Sequence, residues 1–190
     1  MTASKLIVIS APSGCGKTTI VREILKRHPK MRFSVSATTR KQRAKETHGK
    51  EYFFLDKDDF KQKIQENELV EWEQIYDDYY GTLKSEVDSA LQSGTPMLFD
   101  IDVKGALTIK RKYPRDAVLI FIEPPSVDVL RQRLRHRCTE SEVIISKRLE
   151  RVPMELEKGK EFDHRVVNDE LEKAISEVDA IVRNAIGAAA

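Results

Sequence analysis

Ser10-Ala-Pro-Ser-Gly-Cys-Gly-Lys17-Thr18-Thr19 is the stretch whose residue types imply chemistry most directly. It follows a short apolar run and opens a helical pattern, which is the setting in which a glycine-rich loop cradles phosphate. Successive backbone N–H groups of such a loop form an anion nest, and the following helix N-terminus adds partial positive charge. Ala11, Pro12, Ser13, Gly14, Cys15 and Gly16 would supply the loop, with Gly14 and Gly16 allowing approaches that a Cβ blocks. Lys17 has the length to reach the outer phosphates. Thr18, followed by Thr19, offers Mg²⁺ a hydroxyl. Ala11 stands where the strict G-x-x-x-x-G-K-[ST] pattern has its first Gly. A nucleoside triphosphate site is the reading. Cys15 leaves two possibilities open: a thiol activated by Lys17 and the helix, or a residue whose backbone N–H alone matters.

Arg40 and Arg43 follow a strand-like run, and Tyr52 comes soon after in Gly49-Lys50-Glu51-Tyr52. Two guanidinium forks and a phenol suit a phosphate monoester, because the forks bind its oxygens bidentately. Leu69-Val70-Glu71-Trp72 sets one carboxylate beside an aromatic residue, ahead of Tyr79-Tyr80-Gly81-Thr82. A carboxylate accepts from two adjacent donors, and guanine presents N1–H and its 2-amino group side by side. Adenine presents a bare N1 acceptor there, so an unpaired buried carboxylate would discriminate against it strongly. Asp100 and Asp102 end another apolar run and share a face. In phosphate-loop proteins an Asp at such a strand end orients the Mg²⁺ shell.

These groups need a scaffold, and hydrophobic patterning supplies one. Lys5 to Ser10, Met97 to Asp102 and Ala117 to Ile122 read as buried strands. Helical patterns follow each, over Thr18 to His28, Gly105 to Tyr113 and Ser126 to about Arg137. Arg165 to Val167 reads as a last strand, and Glu170 to Val182 as a closing helix. Alternating strands and helices predict an α/β fold with a mostly parallel sheet covered on both faces. Between Phe33 and Gly81 the texture changes. Strands over Phe33 to Thr38, Glu51 to Leu55 and Val70 to Tyr76, with a helix over Asp58 to Asn67, predict an inserted α+β lobe. The segment from Asp128 to Arg148, with Arg131, Arg133, Arg135, Arg137 and Arg148, reads as a polar, mobile lid over phosphates. Pro153 should kink or divide the helix patterned over Ser141 to Lys158.

Composition narrows the rest. The chain has 190 residues, 40% hydrophobic and 34% charged, with 33 basic against 31 acidic residues. One domain is expected, with core about 1–34, 84–127 and 149–190, lobe about 35–83 and lid about 128–148. A net charge of +2 gives no global pull toward nucleic acid or an anionic membrane, so phosphate must be held locally. No apolar run approaches a membrane span, and the N-terminal residues do not read as a secretion signal, so a cytoplasmic location is expected. Cys15 and Cys138 form neither a disulfide framework nor a zinc set. His28, His48, His136 and His164 have no metal-like spacing. Oligomeric state is not legible.

Together these motifs resemble the guanylate kinase family, over nearly the whole chain. The stretches that carry the likeness are the phosphate loop, Ser-Ala-Thr-Thr-Arg-Lys-Gln-Arg, Gly-Lys-Glu-Tyr-Phe-Phe, Glu71-Trp72, Tyr-Tyr-Gly-Thr, Asp-Ile-Asp-Val-Lys-Gly and the arginine-rich segment. The resemblance implies a P-loop nucleoside monophosphate kinase using Mg²⁺ and ATP, with GMP as acceptor. It implies that Ser36, Glu71 and Thr82 meet the guanine, and that Arg40, Arg43, Tyr52 and Tyr80 meet the GMP phosphate. Asp102 would lie toward GMP, and Thr18 and Asp100 toward Mg²⁺ or its waters. Arg133, Arg137 and Arg148 match lid arginines, and Asn168 the motif near adenine and ribose. Cys138 departs from the family's usual Gly after the lid Arg. Rival readings are a kinase for another monophosphate such as AMP, a non-catalytic protein-binding module of the same fold, and a regulatory GTPase. Glu71 argues against the first, the intact Gly-Cys-Gly-Lys-Thr against the second, and the missing Asn-Lys-x-Asp segment against the third.

Overall fold

The computed structural model describes residues 6–75, 77–136 and 142–187. Strand β1 (Leu6–Ser10) is apolar on both sides, and every one of its residues is buried. A strand of that kind belongs in the middle of a sheet covered on two faces. It occupies the centre of five parallel strands ordered β2 (Arg32–Phe33), β7 (Met97–Asp100), β1, β8 (Ala117–Glu123) and β9 (His164–Val167). Ile7 and Ile9 face a core shared with helices α1 (Lys17–Arg27) and α7 (Leu171–Ile186). Leu6 and Val8 face the opposite core, with α3 (Lys84–Ser93) and α4 (Val103–Lys112).

A second sheet is ordered β4 (Phe53–Phe54), β3 (Ala37–Thr38), β6 (Asp78–Leu83) and β5 (Leu69–Ile75). Helix α2 (Lys57–Gln65) caps it, starting where the Asp56 carboxylate accepts from the Asp58 and Asp59 N–H groups. Its Phe60 is buried and stacks on Tyr79, with ring centroids 5.5 Å apart.

The single strand expected over Phe33 to Thr38 is two strands in two sheets. Arg32–Phe33 pairs with β7, whereas Ala37–Thr38 pairs with β4 and β6. One β-like run cannot disclose which partners it finds. β7 also stops at Asp100, because Asp102 turns to cap α4 by accepting from the Gly105 N–H at 2.8 Å. Helix α6 (Glu142–Gly159) runs through Pro153 undivided. Proline removes a single helical hydrogen bond, and Leu149, Val152 and Leu156 pack on the core on both sides of it. The segment read as polar also has an apolar face. Leu130 and Leu134 of α5 (Val127–His136) and Ile145 of α6 are buried in the core. Strand β6 and helix α3 were not anticipated. Among the described residues no helix is long and apolar enough to cross a membrane.

Asp179 joins the helix that follows the phosphate loop to the C-terminal helix. It accepts from His28 of the α1 C-terminus at 2.7 Å, and its Oδ2 pairs with Arg183 at 2.9 Å. Asp179→Ala would strand the largely buried His28 donor, so urea unfolding should show a loss of about 1–2 kcal/mol.

Candidate active site

The loop from Ala11 to Thr18 lines a cavity of about 750 Å³ whose opposite wall includes Arg148, Arg151 and Glu155 of α6. Gly16 is held at φ +82°, and a Cβ there would fall 2.6 Å from the Asn168 side-chain nitrogen. That nitrogen donates to the Cys15 carbonyl at 2.8 Å, so Asn168, at the end of β9, braces the loop. The resemblance places Asn168 toward adenine and ribose, and in the structure its buried amide nitrogen is engaged with the loop backbone. Cys15 is fully buried, and burial pushes its thiol up to about 12 although Arg133 and Lys17 pull the other way. Burial thus disfavours the thiolate that the activated-thiol possibility requires. The Cys15 N–H closes a turn onto the Pro12 carbonyl at 3.2 Å.

Lys17 lies 2.5 Å from Asp100 Oδ1 and donates to the Ile101 carbonyl at 3.2 Å. Thr18 lines the loop cavity, and both it and Thr19 are exposed in the first turn of α1. Arg148 donates to the Ser13 hydroxyl at 2.6 Å and so reaches the loop. Arg133 does not line this cavity. It donates to the carbonyls of Asn168 at 3.0 Å and Asp169 at 3.4 Å. Arg137 and Cys138 lie outside the described residues.

A second cavity, of about 310 Å³, is lined by Ser36, Tyr52, Glu71 and Tyr80 among others, and shares Lys17 and Asp102 with the first. Glu71 is its most unusual member. The Thr82 hydroxyl donates to Glu71 Oε1 at 2.6 Å. Its other oxygen is approached so closely by α4 that a Cβ on Gly105 would stand 2.6 Å away. Burial, with a smaller push from Asp102, raises its carboxyl to about 7 despite the Thr82 bond and the attraction of Lys112. Thr82 is wholly buried, so it orients Glu71 and does not line the cavity itself. Gly105 and Lys112 were missed from sequence. A Gly early in a helical pattern, right after Asp100-Ile-Asp102, was the available sign for Gly105.

Arg40 stands over the Tyr52 ring at 5.2 Å, and Tyr52 meets Tyr80 edge-on at 6.1 Å. Arg40 donates to Glu46 at 2.7 Å, while the Arg43 main-chain N–H donates to the other Glu46 oxygen at 2.9 Å. The Glu46 carboxylate is thus bound by the same loop whose arginines suit an anion, and Arg43 is exposed. Neither arginine lines the second cavity. Asp100 and Thr18 offer hard oxygen donors suited to Mg²⁺. Among the described residues there is no cluster of three or more His, Cys, Asp or Glu that could hold a metal. Their donor set fits an ion that keeps most of its ligands from phosphate and water.

Folding takes up a proton at Glu71, whose carboxyl titrates near 7 when folded against 4.5 as a free side chain. Its contribution to stability is therefore fully present below about pH 4.5 and is lost as pH rises to about 7. Glu71→Gln removes this dependence. Measured by urea unfolding at pH 5 and pH 8, the variant should gain about 2–3 kcal/mol on the parent chain across that interval.

The guanylate kinase family model matches residues 3–185. A guanylate kinase of Chlorobium chlorochromatii is 46% identical over 185 residues, covering 97% of each chain. One of Salinibacter ruber is 46% identical over 179 residues, covering 94% of this chain and 95% of the relative. A crystal structure of guanylate kinase from Anaplasma phagocytophilum superposes with a TM-score of 0.77 at 27% identity, covering 96% of this chain and 86% of that one. Two sheets, a phosphate loop and a buried carboxylate thus coincide with a likeness that spans nearly the full length, and the chain belongs to the guanylate kinase family.

Proposed function

We propose that this protein transfers the γ-phosphoryl group of ATP to GMP, giving ADP and GDP, as a step of purine nucleotide metabolism and GMP recycling in the cytoplasm. The observation that carries the reading is the buried Glu71, oriented by Thr82, in a cavity that shares Lys17 and Asp102 with the phosphate-loop cavity. Residues about 35–83 form the GMP-binding lobe on a core of about 1–34, 84–127 and 149–190, and residues about 128–148 form the lid.

Glu71 accepts from guanine N1–H and the 2-amino group, and Ser36 completes the base contact. Ionised, Glu71 has two acceptor oxygens; with Thr82 already on one of them, its remaining lone pairs face the base. AMP would leave that carboxylate unpaired and buried, which is the source of selectivity. Tyr52, Tyr80, Arg40 and Arg43 hold the acceptor phosphate, with the Arg40 guanidinium exchanging Glu46 for it. The loop amides, Lys17 and Arg148 hold the donor phosphates, as do Arg133 and Arg137. Mg²⁺, held by Thr18 and by Asp100 directly or through water, would neutralise charge on the phosphate oxygens when bound. The acceptor oxygen is already nucleophilic, so the chain needs no covalent nucleophile and no dedicated base. Lys17, at the junction of the two cavities, is placed to stabilise charge on the group in transit.

A coupled ADP-release assay with ATP and Mg²⁺ should show turnover with GMP and little with AMP, CMP or UMP; preference for AMP would overturn the guanine assignment. Lys17→Ala should lower turnover by about 10³-fold while GMP binding, followed by calorimetry, stays within about threefold, since the lysine acts on the transferred group. Glu71→Gln, which swaps an acceptor for a donor, should weaken GMP use by at least about 10²-fold in kcat/KM.

A further inference from the structure

Alternate residues of a strand share a side, so β5 presents Glu71 and Glu73 together, and both line the acceptor cavity. Helix α6 presents Arg148, Arg151 and Glu155 along one face, at helical spacing, and all three line the phosphate-loop cavity. The two surfaces meet through Arg151. Its Nη2 lies 3.7 Å from Glu73 Oε1, and its Nε lies 3.7 Å from Glu155 Oε1. Lys104 of α4 donates to the same Glu73 oxygen at 2.8 Å, which fixes the strand end of the chain of charges. The Glu73 and Glu155 side chains are only 15% and 11% exposed. The second oxygen of each is buried without a hydrogen-bond partner among the described residues. Burial also raises the Glu155 carboxyl above its ordinary range.

A separation of 3.7 Å makes an ion pair, but it is beyond a formed hydrogen bond. A guanidinium carries five N–H donors in a rigid fork suited to bidentate pairing with carboxylates. Here it lies between two carboxylates that each retain unused acceptor capacity. A sub-ångström approach of β5 toward α6 converts loose pairs into bonds, so the contact favours the arrangement in which the two cavity walls are drawn together. Exposed pairs contribute little, but these carboxylates are largely out of water, where leaving one unpaired is costly.

We propose that Arg151 is a positioning residue for phosphoryl transfer. Its pairing with Glu73 ties the strand that reads the acceptor base to the helix that reaches the donor phosphates, so that filling one cavity draws the other into place. The proposal rests on the assignment of the two cavities as acceptor and donor sites.

The test measures GMP affinity by calorimetry with and without a non-hydrolysable ATP analogue and Mg²⁺. The intact protein should bind GMP about fivefold or more tightly when the analogue is present. Arg151→Gln and Glu73→Gln should each reduce that gain to within about twofold, and the double variant should lose no more of it than either single one. A gain unchanged in both single variants, or absent from the parent protein, would overturn the proposal. So would loss of analogue affinity in Arg151→Gln alone, since that pattern marks direct phosphate binding. Should a neutral variant fail to fold, Arg151→Lys and Glu73→Asp replace it, and each should show an intermediate gain. GMP turnover by the parent protein is measured alongside; its absence would bring down the site assignment itself, whereas turnover without coupling would bring down only the role of Arg151.

Discussion

The ammonium of Lys17 and the carboxylate of Asp100 stand 2.5 Å apart at the point where the two cavities meet. Parallel pairing produces this contact. Register between β1 and β7 sets Ile9 beside Asp100, so the loop leaving β1 and the carboxylate ending β7 emerge at the same edge of the sheet. Parallel strands send their carboxyl ends one way, which is why ligands of open α/β sheets gather there. The ion pair holds the lysine between the loop and the second cavity, partly sheltered from water. Arg148 on Ser13 and Asp102 capping α4 then complete walls that already converge on this point.

Glu71 shows the second constraint. A carboxylate that is nine-tenths buried is expensive unless hydrogen-bonded, and this one has Thr82 on one oxygen and α4 pressed against the other. The closeness of α4 depends on Gly105, where any side chain would strike the carboxylate. An acceptor with paired N–H donors relieves the burial penalty, and one without them aggravates it. In the proposed function, selectivity therefore resides in the desolvation of the carboxylate as much as in the bonds it forms.

The phosphate loop, the parallel core and the order of its main elements were legible from residue types. Gly14, Gly16 and Lys17 sit in register between an apolar run and a helical one, and that chemistry is local. The inserted sheet was legible only in outline. Phe33 to Thr38 reads as one strand but divides between sheets, and β6 contains Gly81, which interrupts a strand pattern. Arg133 carried the same sequence signal as Arg148. Of the two, Arg148 reaches the loop and Arg133 bonds main-chain carbonyls after β9. Charge and spacing cannot separate them, since the difference lies in how α5 and α6 pack.

By itself the sequence determined that a glycine-rich loop with Lys17 opens a helix, and it offered arginines and a tyrosine for a monoester and one acid beside Trp72 for guanine. Each of these depends on residue identity and short spacing, properties that survive in any fold accommodating them. Tertiary structure alone decided that Glu71 is buried, that Thr82 and Gly105 shape its surroundings, that the Cys15 thiol is buried, and that Asn168 braces the loop. It also brought Arg151 to Glu73 across the chain. Burial and long-range contact come from packing among distant elements, and no window of the sequence contains both partners.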